Sequence, residues 1–167
     1  LYTVDRYESP STGGKTFKQW HTKDGQRVNS IKGVRRVLYR LPIIQKHDEV
    51  FIAEGEKCVA ALVYAGYENA TTNCGGSGGW LDSYAEALAG KRVVIFQDND
   101  KAGEKWRNAV KESLEGKVES LRVVVMPDPY NDVADFVRDH TADCGEQIAV
   151  MVERSEEMHR GCDLPIY

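Results

Sequence analysis

From residue 49 onward, the chain alternates short apolar runs with amphipathic stretches of helical spacing. The apolar runs predict strands over 50–53, 69–72, 92–96 and 121–126. The segments between and after them predict helices over 57–65, 81–88, 102–114, 133–138 and 146–159. A helix between two strands returns the chain to the same sheet, so such strands pair in parallel. The sequence therefore predicts an α/β fold, with a four-stranded parallel sheet flanked by helices.

The first part of the chain has a different pattern. Residues 15–21 alternate polar and apolar side chains, Asp24-Gly25 predicts a turn, and residues 27–31 resume the extended pattern, which together predict a hairpin. Residues 33–42 are predicted to continue this extended chain, with Pro42 closing it. The sequence thus predicts a small antiparallel β subdomain ahead of the parallel sheet.

Composition limits the remaining possibilities. The chain has 167 residues, of which 41% are hydrophobic and 29% charged, as expected for one globular domain with a modest appendage. No apolar run is long enough to span a bilayer, and the N-terminus lacks a signal peptide, so we expect a cytoplasmic protein without membrane contact. The four cysteines have no Cys-x-x-Cys spacing and are expected to be reduced thiols. Because the chain begins at Leu1, we expect a fragment of a larger protein.

Charge is distributed unevenly along the chain. Residues 1–49 carry ten Lys and Arg against five Asp and Glu, whereas the whole chain has a net charge of -4. A basic lobe joined to an acidic one favours polyanion binding on one side and metal binding on the other, although solvated surface charge is the simpler explanation. We expect three parts: a basic antiparallel β lead-in over 1–48, a catalytic domain over 49–140 and a C-terminal helical extension over 141–167.

Acidic residues follow the predicted strands where those strands end. Glu54 comes directly after the first apolar run, Asp98 and Asp100 come after the third, and the fourth leads through a loop to Asp132 and Asp135. The carboxyl ends of parallel strands form the reactive crevice of an open sheet, so Glu54 should meet Asp98 if the first and third strands are neighbours. Side chains two residues apart in an extended segment point the same way, which aims Asp98 and Asp100 into one volume.

Converging carboxylates raise one another's pKa unless a cation intervenes. Mg²⁺ takes oxygen ligands and commonly combines one or two carboxylates with substrate phosphates. No His is positioned to complete a zinc set with these acids, so the sequence favours Mg²⁺ or Mn²⁺. Gly55 and Lys57, at the start of the following helix, offer amide groups and positive charge to a phosphate. Taken singly, each acid is equally well explained as a turn or N-cap residue.

Four segments together resemble the Toprim domain shared by DnaG-type primases, topoisomerases and related nucleases. These segments are Glu54-Gly-Glu-Lys57, Thr72-Asn-Cys-Gly-Gly76, Phe96-Gln-Asp-Asn-Asp-Lys-Ala-Gly103 and Asn131-Asp-Val-Ala-Asp-Phe136. The similarity covers residues 49–140. Residues 32–42 are similar to the lead-in of primases of phages and mobile elements, which indicates the primase branch.

The resemblance implies a DNA primase-type nucleotidyltransferase that makes short RNA primers on single-stranded DNA from ribonucleoside triphosphates. It implies that Glu54, Asp98 and Asp100 are catalytic residues and ligands of Mg²⁺ or Mn²⁺. Asp132 matches a later acidic motif and is a further implied ligand. DnaG-type primases commonly have Asp-x-Asp there, whereas the second acid of this chain stands one residue later, at Asp135, as in primase-helicases.

The residues expected to bind substrate or nucleic acid are basic: Lys57, Lys101, Arg35, Arg36 and Arg40. In an alternating strand, Arg36 and Arg40 share one face and Arg35 lies on the other. The resemblance also implies a replicative helicase as a partner, in cis or in trans.

Two other functions fit the same residues. A Toprim nuclease would use the metal site to activate water instead of a 3′-hydroxyl. A non-catalytic nucleic-acid or partner-binding module would carry the acidic residues without using them.

Overall fold

The computed structural model describes residues 2–10 and 13–155. The chain forms two compact units, divided between Arg36 and Val37. Within the described part of the chain, no helix is long and apolar enough to cross a membrane.

The first unit is a three-stranded antiparallel sheet in the order β1-β2-β3. Its strands are β1 (Thr3–Glu8), β2 (Lys15–Lys23) and β3 (Gln26–Val28). Asp24 and Gly25 connect β2 to β3 and have φ angles of 50° and 77°, values that favour Asp and Gly over bulkier residues. This connection confirms the predicted hairpin, while β1 was not predicted.

Contacts around Asp5 join all three strands of this sheet. Its carboxylate accepts hydrogen bonds from Trp20 Nε1 and from the guanidinium of Arg27, each at 2.9 Å. The Arg27 guanidinium also lies 4.4 Å from the centre of the Trp20 ring. Trp20 is thereby partly covered within the hairpin.

The predicted extended segment over residues 33–42 is wrong. No strand forms there, and Pro42 lies in the first turn of a short helix, α1 (Leu41–Ile44). Proline suits this position because its fixed φ matches a helix and its missing N–H has no helical acceptor there. Arg40 precedes the helix with a φ of 57°, so Arg36 and Arg40 do not share the face of a strand.

The second unit contains a four-stranded parallel sheet in the order β5-β4-β6-β7, which confirms the predicted fold class. Its strands are β4 (Glu49–Ala53), β5 (Ala70–Thr71), β6 (Arg92–Gln97) and β7 (Ser120–Val125). Its longer helices are α2 (Glu56–Tyr64), α3 (Ser83–Leu88), α4 (Lys101–Leu114), α5 (Val133–Asp139) and α6 (Cys144–Arg154). A 3-10 turn covers Gly76–Gly78.

Side chains alternate between the two faces of this sheet, and helices cover both faces. Along β6, Val94 and Phe96 pack in one core cluster with residues of α2, α5 and α6. Val93 and Ile95 pack in the other cluster with residues of α1, α3 and α4. Burial on both faces explains why the strands are continuously apolar.

Residues on either side of the predicted catalytic domain belong to its core. Leu38 and Ile44 are buried in the cluster on the α3 and α4 side. At the other end, α6 packs closely on α2, because a Cβ at Gly145 would lie 2.7 Å from the carbonyl oxygen of Ala65. The predicted division at 48 and 140 stays a prediction. The last residues of the predicted C-terminal helix, 156–159, lie outside the described residues.

Candidate active site

The carboxyl ends of the two central strands place Glu54 and Asp98 at the same edge of the sheet. β4 and β6 are neighbours, with Ala53 in register with Phe96. Glu54 directly follows the first of these strands, and Asp98 directly follows the second. The condition set for Glu54 and Asp98, that the first and third predicted strands are neighbours, is therefore met.

Asp98 is the acid of this edge whose pKa is raised. Its pKa is raised from 3.8 to about 7, mainly by burial and then by the negative charges of Glu54, Asp132 and Asp100, in that order; Lys57 acts in the opposite direction. Of the predicted acids, Glu54, Asp132 and Asp100 therefore act electrostatically on Asp98, and Glu54 has the largest effect of the three.

The chain turns sharply between the two aspartates of the Asp-x-Asp pair. The Asp100 N–H donates to the Asp98 carbonyl oxygen at 2.8 Å, which closes a three-residue turn. The Asp100 carboxylate accepts the N–H of Gly103 at 2.7 Å and caps α4. The expectation of an extended Asp98–Asp100 segment is wrong, because the hydrogen bond between the two aspartates bends the chain at Asn99.

Gly103 permits this turn to lie against the first turn of α4. A Cβ at residue 103 would be 2.5 Å from the carbonyl oxygen of Asp98, closer than real Cβ contacts allow. The glycine of the Asp-Asn-Asp-Lys-Ala-Gly motif is therefore required by packing rather than by an unusual φ. It fixes where Asp98 stands relative to α4.

The later acidic motif is held by Lys57. One oxygen of Asp132 accepts the Asp135 N–H at 2.8 Å and caps α5, and the other accepts from Lys57 Nζ at 2.9 Å. Lys57 also donates to Asp135 at 3.2 Å, and Arg138 donates to the same oxygen at 3.0 Å. The hydrogen bond from Lys57 is the main cause that lowers the pKa of Asp135.

A buried polar contact supports the glycine-rich loop beside β4. Thr72 accepts the Gly55 N–H at 3.0 Å, which ties the loop after β5 to the backbone next to Glu54. Asn73 donates to the Gly76 carbonyl at 2.9 Å and accepts from Trp106 Nε1 at 2.8 Å. The roles of Thr72 and Asn73 were not predicted. Two polar residues directly after a buried strand are nevertheless a pattern that indicates polar contacts at the end of that strand.

The predicted basic residues are distributed over both units. Lys101 is exposed at the first position of α4, next to Asp100. Arg40 is partly buried in the second unit and donates to the carbonyl of Ala70, at the start of β5, at 3.3 Å. Arg35 and Arg36 are exposed residues of the first unit.

The donor chemistry of the site suits a hard divalent cation. The acids present only oxygen atoms, and their mutual repulsion at Asp98 is what such a cation relieves. Glu54, Asp98 and Asp100 are the residues that would hold such a cation, and this role stays a prediction. Within residues 2–10 and 13–155, however, no three His, Cys, Asp or Glu side chains are close enough to form a ready ligand set. Both oxygens of Asp132 are already engaged.

A sequence model described as a Toprim domain matches residues 49–143, more than half of the chain. No curated protein matches the chain.

Solved structures with a similar fold are primase catalytic cores. The E. coli primase catalytic core is 20% identical with a TM-score of 0.66, and the match covers 94% of this chain and 49% of that chain. The zinc-binding and RNA polymerase domains of Aquifex aeolicus primase are 18% identical, with a TM-score of 0.62 and coverages of 90% and 44%. A DnaG primase catalytic domain bound to ssDNA is 21% identical, with a TM-score of 0.59 and coverages of 83% and 48%. The chain thus spans about half the length of these structures, and the likeness concerns the fold.

Proposed function

Because this chain belongs to the Toprim family, we propose that it is the nucleotidyl-transfer core of a DNA primase. The proposed reaction is the synthesis of short RNA primers from ribonucleoside triphosphates on a single-stranded DNA template. The fold that it shares with primase catalytic cores supports this assignment.

The observation that carries the proposal is the convergence of acids from separate strand ends on Asp98. Glu54 follows β4, Asp100 begins α4 and Asp132 begins α5, and the negative charge of each raises the pKa of Asp98. Burial and the neighbouring negative charges raise the pKa of Asp98 to about 7, and a divalent cation bound there would stabilise its ionised form.

Each group in the site has a proposed part in the reaction. A bound Mg²⁺ or Mn²⁺ would neutralise charge on the triphosphate and favour ionisation of the attacking 3′-hydroxyl. Asp98 and Asp100 are the proposed main ligands. Glu54 is either a ligand or the group that accepts the proton of the 3′-hydroxyl. Asp132 stays a predicted further ligand.

The basic residues are proposed to bind substrate and template. Lys57 and Lys101 flank the acids at the starts of α2 and α4, where they can contact phosphate oxygens. Arg35, Arg36 and Arg40 are proposed to contact the template or the triphosphate. A replicative helicase as partner, an origin in a phage or mobile element, and a cytoplasmic location stay predictions.

Primer synthesis tests the proposed function directly. The protein that carries this chain is incubated with single-stranded DNA, labelled ribonucleoside triphosphates and Mg²⁺ or Mn²⁺, and short labelled products are resolved on a gel. We expect Asp98→Asn and Asp100→Asn to abolish the products, because an amide oxygen is a far weaker cation ligand. The matched control is Glu112→Gln, which removes an exposed acid of α4 and should leave synthesis unchanged.

The same assay separates the alternatives. Unchanged dinucleotide formation in Asp98→Asn would reject the assignment of that residue. Cleavage of the DNA in the absence of ribonucleotides would favour a nuclease. Absence of both activities, together with no effect of Mn²⁺ on the melting temperature, would favour a non-catalytic binding module.

A further inference from the structure

Lys57 occupies one side of the acidic site as a cation supplied by the protein itself. Its ammonium lies 2.9 Å from Asp132 and 3.2 Å from Asp135. It is also the basic side chain that acts against the raised pKa of Asp98. Lys57 thus neutralises part of the charge that a divalent ion would neutralise.

Both oxygens of Asp132 already have a hydrogen-bond partner while this contact is made. One oxygen accepts the Asp135 N–H and the other accepts from Lys57. The first of these bonds caps α5 and belongs to the fold, whereas the second depends on a flexible side chain. An incoming cation that binds the second oxygen therefore competes with the ammonium of Lys57 for it.

We propose that Lys57 is a resident counter-ion that competes with the divalent ion for Asp132 and leaves Asp132 when that ion binds. The inference rests on the divalent-ion use of the proposed function, but not on primer synthesis. In this proposal Lys57 is a positioning residue. Its ammonium pairs with the acids when no divalent ion is bound, and contacts the phosphates of a substrate after the ion has bound.

Release of Lys57 is physically easy. Its side chain is 62% exposed, while that of Asp132 is 13% exposed. An ion pair with so exposed a partner favours the paired over the separated state by only about two- to fivefold. A divalent ion can therefore displace the lysine. Asp135 keeps a second partner, because Arg138 donates to it at 3.0 Å. The α5 end of the site therefore keeps a cation after Lys57 has left.

Mn²⁺ binding measured by electron paramagnetic resonance tests the competition without any catalytic step. We expect Lys57→Gln to bind Mn²⁺ about five- to tenfold more tightly than the unmodified chain, because two exposed ion pairs no longer oppose binding. Lys57→Arg keeps the charge and both partners, and should stay within about twofold of the unmodified chain. The control Lys105→Gln removes an exposed lysine of α4 and measures the effect of net charge alone.

Nuclear magnetic resonance of the lysine ammonium groups tests the release itself. In the ¹⁵N-labelled chain, the Lys57 Nζ signal is identified by its absence in Lys57→Gln, and saturating Mg²⁺ should shift it toward the position of a solvated lysine. Equal or weaker Mn²⁺ binding by a folded Lys57→Gln variant would overturn the proposal, and so would a Lys57 signal that does not respond to Mg²⁺. Tighter Mn²⁺ binding in Lys57→Gln without primer synthesis by the unmodified protein would reject only the proposed function.

Discussion

Replacing Asp98 by Asn should stabilise the metal-free protein above neutral pH. The pKa of Asp98 is raised to about 7 in the folded chain, from an ordinary value of 3.8. A raised carboxyl pKa means that folding favours the protonated form, so ionisation costs stability as the pH rises from the unfolded to the folded pKa. Asn has the shape of the protonated acid and does not ionise.

The size of the effect follows from the shift of the pKa. About three units at ~1.4 kcal/mol each give roughly 4 kcal/mol as an upper limit. Asp98 is only partly buried, so solvent screening reduces this to about 2 kcal/mol. We expect the difference in unfolding free energy to be small near pH 4, to grow up to about pH 7 and to be constant above it.

Urea unfolding of both proteins in the presence of a chelator, at several pH values between 4 and 8.5, measures this difference. Subtracting the two curves isolates Asp98, because all other titrating groups are common to both. Glu112→Gln, which removes an exposed acid of α4, is the matched control for the loss of one carboxylate. A constant difference for Asp98→Asn, or destabilisation at pH 8, would refute the argument that burial and the neighbouring acids raise the pKa of Asp98 in the folded state.

Three further predictions concern the surroundings of the site. Gly103→Ala should lower the unfolding free energy by about 1–3 kcal/mol in urea unfolding, because its Cβ would meet the Asp98 carbonyl at 2.5 Å; an unchanged midpoint would contradict this. Trp106→Phe should cost about 1–3 kcal/mol by leaving the buried Asn73 oxygen unpaired, and Leu at the same position should cost at least as much. Burial raises the pKa of Cys58 to about 12, so mass spectrometry should find it unmodified by iodoacetamide at pH 8.5 in the folded protein and modified in urea; rapid native labelling would contradict the burial.

The parallel sheet could be predicted because its signals are local. Runs such as 92–96 are continuously apolar, and burial on both faces of the sheet produces that pattern. Gly66 marks the end of α2 for an equally local reason. Its φ is 99°, and the next N–H, that of Tyr67, donates back to Leu62 at 2.9 Å, which closes the helix.

The remaining features depend on contacts between residues distant in sequence. The hydrogen bond between Asn73 and Trp106 joins residues 33 positions apart, and no periodicity in the sequence predicts it. The acids were placed at strand ends correctly, but the turn at Asp98–Asp100 depends on where α4 begins. The ion pair between Lys57 and Asp132 joins residues 75 positions apart. The sequence pattern contains no signal that these two charged side chains are in contact.

Two of the acids that mark the site also start helices. Asp100 begins α4 and Asp132 begins α5, each through a hydrogen bond to a backbone N–H three residues ahead. An alanine scan would therefore confuse lost chemistry with a frayed helix at both positions. Asn and Ser can still cap a helix but carry no negative charge. Replacing either aspartate by Asn or Ser, rather than by Ala, therefore separates the loss of a metal ligand from the loss of a helix cap.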